Sequence, residues 1–146
     1  TRRVAPLHTR GVVASLGPTG CELDPTKLTD EEVAEVASQI REYEKVADLI
    51  LKGDSCRLCS PFDGNYFVQM IVSKDKKQAY VCGVRIHGVP CDYDNFVALT
   101  GLSEGLTYRI EELDITASGK ALTTIGVRLP RLPDFGAWTW HVVAVD

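Results

Sequence analysis

The hydrophobic period of this 146-residue chain changes at Gly53, and that change constrains the fold more than any other feature. Before Gly53, apolar residues recur every three or four positions, which is typical of one face of an α-helix. After it, apolar and polar residues alternate, which is typical of strands that bury one face of a sheet. We therefore predict an α+β chain in two parts, residues 1–52 and residues 54–146.

The helix of the first part has a defined start and end. Thr29 and Glu32 form a capping-box pattern, in which each side chain binds the backbone amide of the other residue. The apolar stripe that follows consists of Val33, Val36, Ala37, Ile40, Tyr43, Ala47 and Ile50. Lys52 suits the negative end of the helix dipole, and Gly53 suits a left-handed cap. These signals predict a helix over residues 30–52.

The first 28 residues are divided into short pieces by Pro6, Pro18 and Pro25. Residues 11–16 are apolar, but six residues are too few for periodicity to separate a buried strand from a short helix. Residues 21–24 fit one short strand.

The second part is predicted to be all-β, with six to eight strands. Two alternating runs, residues 66–73 and 79–87, adjoin the polar sequence Ser-Lys-Asp-Lys-Lys and indicate an antiparallel hairpin. Further short runs near residues 97–99, 108–110 and 138–144 are separated by Gly and Pro. A single flat sheet would leave too much apolar area in water, so we expect a sandwich or a barrel.

Charge, hydropathy and cysteine content exclude several classes of protein. With 16 Lys+Arg against 20 Asp+Glu, the chain lacks the basic surface of a general nucleic-acid binder. No apolar run approaches the ~20 residues of a membrane span. We do not read the short apolar run 11–17 as a signal peptide, because the chain begins Thr-Arg-Arg without a starting Met and the ten residues before the run hold Arg2, Arg3, His8 and Arg10. We read that start as a cut within a longer chain. Five cysteines are an odd number for a disulfide framework, so we expect a reducing, cytoplasmic location and leave secretion open.

Cys56 and Cys59 form a C-x-x-C motif that could join Cys82 and Cys91 in a zinc site. The second pair is separated by eight residues, whereas zinc ligands are typically two to four apart. Positions i and i+3 of an extended strand also point to opposite faces, and a redox motif would precede a helix. We therefore interpret these cysteines as small apolar core residues and predict no metal and no cofactor.

The ionisable residues show no catalytic constellation. His8, His87 and His141 follow no metal-binding spacing, and we expect His87 and His141 on solvated strand faces. Glycoside hydrolysis with retention needs two carboxylates ~5–5.5 Å apart. The loop carboxylates are Asp24, Asp54, Asp63, Asp92 and Asp94. No two of them stand out as a pair, and Glu111 and Glu112 fit a solvated strand edge, so we assign no catalytic residue.

Trp138 and Trp140 lie two residues apart and therefore share one face of a strand. Two aromatic rings on a sheet face could form a platform for a sugar. Val142 and Ala144 continue the same face, however, which favours a core stripe over a binding platform.

Three longer segments carry a resemblance. Residues 4–11 are similar to R-x-T-P-L-x-T-R-G, residues 20–28 to G-Y-E-L-D-x-T-K-L, and residues 53–65 to G-D-x-Y-R-L-x-S-P-F-E-G-N. These motifs, in this order, resemble the C-terminal end of the family-36 glycoside hydrolases, the α-galactosidases. The match runs over residues 4–110 and weakens after about residue 112, where 119–127 keeps two glycines but lacks the family's Met.

The resemblance implies an architecture. Residues 1–28 would end the seventh helical region of a (β/α)8 barrel and supply its eighth strand, near residues 19–24, so residues 11–16 become helical. Residues 29–52 would be the eighth barrel helix. Residues 54–146 would be the C-terminal antiparallel β domain, sandwich-like with Greek-key connections.

The resemblance also implies a function for a longer protein, namely retaining hydrolysis of terminal α-galactosides by two Asp residues. The family's nucleophile lies in a K-W-D motif, which this sequence lacks, so we expect the chain itself to be inactive and structural. We expect the longer protein to bind a galactoside and to form a homo-oligomer, with neither nucleic acid nor a membrane as partner. The alternative is a non-catalytic carbohydrate-binding or interaction β domain.

Overall fold

The computed structural model describes residues 4–90 and 95–145. The helices in this part of the chain are α1 (Leu7–Ala14), α2 (Asp30–Lys52) and α3 (Gly119–Thr124). The strands are β1 (Asp54–Cys59), β2 (Tyr66–Val72), β3 (Gln78–Arg85), β4 (Phe96–Val97), β5 (Thr107–Ile110), β6 (Ile115–Ser118), β7 (Val127–Arg128) and β8 (Ala137–Val145). Short 3-10 turns occupy Pro25–Lys27 and Glu111–Leu113.

Helix α2 has the predicted bounds and the predicted cap. The Thr29 hydroxyl accepts from the Glu32 amide at 3.2 Å, and the Glu32 carboxylate accepts from the Thr29 amide at 3.0 Å. Gly53 is not a left-handed cap, because its φ of −75° and ψ of 171° are extended. A Cβ atom at Gly53 would lie 2.6 Å from the Leu49 carbonyl oxygen and 2.8 Å from that of Val72. Close backbone approach therefore explains this glycine.

The first 28 residues contain one helix and no strand among those described. Helix α1 takes in most of the apolar stretch, so its helical interpretation is confirmed. The strand predicted near residues 19–24 is wrong: these residues form no β ladder. Asp24 instead starts a 3-10 turn, and its carboxylate accepts from the Thr26 amide at 3.1 Å. A strand is stabilised by hydrogen bonds to a neighbour, and no strand of the described chain pairs with this segment.

The main sheet is antiparallel with the strand order β1-β2-β3-β8-β5-β6, and the two-stranded β4-β7 ribbon accompanies it. The predicted hairpin is confirmed as β2 and β3, with Val72 opposite Ala79. The expectation of an all-β second part is wrong, since α3 interrupts it. Ser118 caps α3 through its hydroxyl, which accepts from the Ala121 amide at 3.2 Å. Local capping thus allows six residues of helix between β6 and β7.

Both faces of the large sheet are covered, and each covered face has its own hydrophobic cluster. We call the first the ribbon-side core, because Val97 and Val127 of the ribbon and Leu122 of α3 pack there. The second, the helix-side core, contains Val12 of α1 with Val46 and Ile50 of α2. Its sheet residues are Ile71, Tyr80, Cys82, Val84 and Ala137. Strand β3 is consequently buried on both faces along most of its length.

Only the second half of α2 packs on the sheet. Ile50 is 8% exposed within the helix-side core, whereas Ile40, on the same predicted stripe, is 42% exposed. Val33, nearer the start of the helix, is exposed as well. The apolar stripe therefore docks in part on the β sheet and leaves an apolar half that contacts water.

Candidate functional site

The paired tryptophans do not form a binding platform. Trp138 and Trp140 are 7% and 2% exposed and belong to the ribbon-side core. The ring of Trp138 lies over Gly83, where a Cβ atom would be 2.1 Å from the ring. It also meets Tyr66 edge to face, with ring centroids 6.1 Å apart. The core interpretation is confirmed, and no sugar can stack on these rings while the sheet is folded.

The C-x-x-C motif lies on one sheet face, not on two. The register shifts between Arg57 and Cys59, so Cys56 lies opposite Met70 and Cys59 opposite Val68. Both cysteines pack against the ribbon-side core. The predicted divergence of the side chains is wrong, because a β-bulge adds one residue and reverses the alternation. The core interpretation of this pair is supported.

The thiols have the chemistry of buried apolar groups. Burial raises the pKa of Cys59, and it raises that of Cys82 to about 12. Cys21, Cys56, Cys59 and Cys82 are free thiols, while Cys91 lies outside the described residues. Residues 4–90 and 95–145 contain no group of three His, Cys, Asp or Glu side chains arranged to hold a metal ion.

The described loop carboxylates lie in different parts of the structure and do not form a pair with one another. Asp24 starts its 3-10 turn and forms an ion pair with Lys27 at 3.2 Å. Asp54 begins β1 and pairs with Lys74. Asp63 lies in the loop between β1 and β2. The remaining two candidates, at positions 92 and 94, lie outside the described residues.

His141 and Glu112 form an ion pair that was not predicted from the sequence. His141 faces the helix side of the sheet, where its side chain is only 22% exposed and bonds to Glu112. The expectation of two solvated side chains is wrong here, because α1 and α2 cover the strand face that the alternation marks as outer. Nε2 of His141 is buried without a hydrogen-bond partner in the described structure. His87 and His8 are largely exposed, as expected for His87.

The described residues line several cavities, including the following two. The first, which we call the helix cavity, has about 180 Å³ and lies between α1, the segment after it and the first half of α2. Apolar groups, including Ile40 and Tyr43, form much of its wall. The second, the loop cavity, has about 440 Å³ and lies between the β1–β2 loop and the β4–β7 ribbon. Neither was predictable from spacing, because each joins segments far apart in sequence.

None of the helices in the described ranges is both long enough and apolar enough to cross a bilayer. The structure is mostly β sheet with a few helices.

Comparison with known protein families shows to which family the chain belongs. Residues 66–142, more than half of it, match the glycosyl hydrolase family 36 C-terminal domain, and residues 1–53 match the melibiase family. The chain belongs to glycosyl hydrolase family 36.

Individual relatives agree with this family assignment. The chain is 40% identical over 145 residues to α-galactosidase AgaA of Geobacillus stearothermophilus and 33% identical over 145 residues to α-galactosidase Mel36A of Lactobacillus acidophilus. These alignments cover 99% of this chain and 20% of each relative. The chain thus spans about a fifth of the length of the curated relatives that it matches.

Solved structures also match nearly the whole of this chain. The galactosidase domain of AgaSK superposes with a TM-score of 0.95 at 34% identity and covers 99% of this chain and 20% of that one. A variant of AgaA from G. stearothermophilus, solved in complex with raffinose, gives a TM-score of 0.93 at 40% identity, covering 98% of this chain and 20% of that one. The packing of α1 and α2 on the sheet therefore has a counterpart in solved α-galactosidases.

Proposed function

We propose that this chain is the C-terminal part of a retaining α-galactosidase. Residues 54–146 would form a sandwich-like, Greek-key β domain, and residues 1–52 would end a (β/α)8 barrel. The observation that carries the proposal is the superposition of nearly the whole chain on a fifth of a solved galactosidase domain. The melibiase match to residues 1–53 supports the barrel assignment.

The substrate of the longer protein would be a terminal α-galactoside of the raffinose type. Two variants of one relative, AgaA, solved with raffinose and with stachyose, support that substrate class. Retaining hydrolysis uses one carboxylate as nucleophile and a second as acid and then base. We propose that both come from outside this chain and that none of its residues is catalytic.

The proposed role of the chain itself is structural and centres on α2. Its second half is anchored in the helix-side core by Val46 and Ile50. Its first half exposes Val33 and Ile40, and Ile40 also lines the helix cavity. A large apolar surface is seldom left in water, so we propose that the rest of the barrel covers this half. Helix α2 would then hold the barrel and the β sheet at a fixed relative position.

Activity measurements test the catalytic part of the proposal. The purified chain should not hydrolyse p-nitrophenyl α-galactoside above the buffer rate. A chimera in which this chain replaces the matching fifth of AgaA should be active. In that chimera, Asp24→Asn, Asp54→Asn and Asp63→Asn should each keep activity within about tenfold, whereas loss of an acid–base group costs about 10²–10⁴-fold. Turnover by the chain alone, or a thousandfold loss in one of these variants, would disprove it.

Limited proteolysis tests the proposed division at residues 52 and 54. The segment between α1 and α2 is largely exposed, so the first cuts should fall within residues 15–30. Continued digestion should leave a resistant core that begins near Gly53. A core that retains all of α2 would assign this helix to the β domain instead.

We further propose that the longer protein is a homo-oligomer in a reducing, cytoplasmic compartment. The four free cysteines of the described chain support the compartment, because persistent disulfides mark oxidising ones. Mass photometry of the longer protein would test the oligomeric state.

A further inference from the structure

The loop cavity has the size of a small-molecule site. Its volume of about 440 Å³ falls within the roughly 300–1,000 Å³ typical of ligand pockets. Leu58, Tyr66 and Leu129 supply its apolar lining, and Asp63 and Asn65 supply polar groups. The whole lining comes from three separate parts of the chain, namely residues 58–66, residues 95–96 and Leu129.

The β1–β2 loop is held in place by its own hydrogen bonds. The Ser60 carbonyl accepts from the Asp63 amide at 3.2 Å, and the Ser60 hydroxyl accepts from the Phe62 amide at 3.2 Å. At its other end, the Asn65 carbonyl accepts from the Ile86 amide at 2.7 Å. A loop tied at both ends loses little conformational entropy when a ligand binds.

One exposed phenylalanine lines this cavity, and a second precedes one of its lining residues in the loop. Phe62 precedes the lining residue Asp63 in the loop and is 92% exposed, so it contributes almost nothing to either core. Phe96, on the ribbon, lines the cavity and is 53% exposed. The ring of Phe96 offers a flat apolar face to a ligand in the cavity, and Phe62 lies next to Asp63 in the loop that forms one wall.

The polar groups that line the loop cavity restrict the chemical class of a ligand that could bind there. Among the described residues that line the cavity there is no Lys, Arg or His, which are the cations that recognise phosphate or carboxylate. Asp63 offers acceptors, whereas Asn65 and Asn95 carry both donors and acceptors. Hydroxyl groups, which donate and accept, match this set, and the apolar C–H faces of a pyranose ring match the aromatic rings. We propose that the loop cavity binds a neutral oligosaccharide.

Saccharide binding at this cavity requires no catalytic residue, so its failure and the failure of the proposed function would be separate results. The test is a titration of the ¹⁵N-labelled 146-residue chain with raffinose, stachyose, maltotriose and cellotriose. At least one sugar should shift the amide resonances of residues 60–66 and 96. Phe62→Ala and Phe96→Ala should each weaken binding by about tenfold, and Asp63→Asn should weaken it as well.

Phe135→Ala is the matched control, because it removes a part-exposed phenylalanine that does not line the loop cavity. Its affinity should equal that of the unchanged chain, and all variants should keep the same melting temperature. Three results would overturn the proposal: no shift from any of the four sugars at about 50 mM, shifts confined to other residues, or a self-association that Phe62→Ala abolishes while no sugar binds.

Discussion

Glu112 accepts two hydrogen bonds from one residue, His141. One carboxylate oxygen accepts from the backbone amide at 2.8 Å, and the other bonds to Nδ1 of the imidazole. The hydrogen bond that the imidazole donates to Glu112 raises the pKa of His141 against the effect of burial. Burial alone would raise the pKa of Glu112, but the hydrogen bonds from His141 outweigh burial and lower it. This pair joins a 3-10 turn to the central strand β8.

The pH dependence of stability follows from the directions of these two pKa shifts. The contribution of His141 is fully present below its ordinary pKa of about 6.5 and is lost as pH rises through its raised value. The contribution of Glu112 is present above about 4.3 and is lost as pH falls through its lowered value. His141→Gln should therefore destabilise the chain most near pH 5–6, by about 1 kcal/mol, because the partly exposed pair is screened by solvent.

Urea denaturation at pH 5.5 and pH 9 measures this difference. The cost of His141→Gln should be smaller at pH 9 than at pH 5.5. The control is His87→Gln, which changes an exposed imidazole and should alter stability little at either pH. An equal cost of His141→Gln at both pH values would contradict the ionic contribution.

Two isoleucines of α2 provide a matched pair. Ile50→Ala should lower the free energy of unfolding by about 2–4 kcal/mol, since it opens a cavity in the helix-side core. Ile40→Ala should cost less than about 1 kcal/mol, because Ile40 is part-exposed. Ile40→Glu should, in addition, reduce self-association measured by sedimentation. A large loss of stability in Ile40→Ala would show that both halves of α2 are equally anchored.

Alanine substitutions at Gly53 and Gly17 distinguish the effect of close packing from the effect of backbone flexibility. Gly53→Ala would place Cβ within 3 Å of two carbonyl oxygens and one Ile71 methyl group, so we expect a loss of more than about 2 kcal/mol. Gly17→Ala meets no atom within 4 Å. It should be neutral or stabilising by up to about 1 kcal/mol, because alanine restricts the unfolded chain. Thermal denaturation of both variants checks the ranking, and equal effects would contradict it.

Cysteine reactivity should follow burial. Cys21 is exposed, whereas Cys82 is buried with a pKa of about 12. Because the thiolate is the reactive form, iodoacetamide at pH 8 should modify Cys21 first and Cys82 only after unfolding. Peptide mass spectrometry at successive times measures the order. Early modification of Cys82 in the folded chain would disprove the tight packing of α1 on β3.

Helix α2 could be predicted from the sequence because all of its signals are local. Thr29 and Glu32 are three residues apart, and the apolar stripe repeats within one element. The role of Gly53 could not be predicted, since the atoms that exclude a side chain include Val72, which arrives from another strand. The β-bulge at Arg57 similarly appears only when β1 is aligned with β2.

The candidate sites were less predictable than the fold for the same reason. Alternation placed Trp138 and Trp140 together correctly, because a strand fixes which residues share a face. It could not show that helices cover the other face, and so His141 was assigned to solvent. Glu112 lies 29 residues from His141, and the loop cavity joins still more distant segments.

Strand β8 follows every other described strand in the chain, yet it lies inside the sheet between β3 and β5. Until Ala137–Val145 leaves the ribosome, the β1-β2-β3 half and the β5-β6 half have no strand to join them. Contacts between such distant residues slow folding, and nascent chains would expose two open sheet edges in the meantime. Ribosome stalling shortly before residue 137 should therefore leave a protease-sensitive, aggregation-prone intermediate, which β8 converts into one continuous six-stranded sheet once it is synthesised.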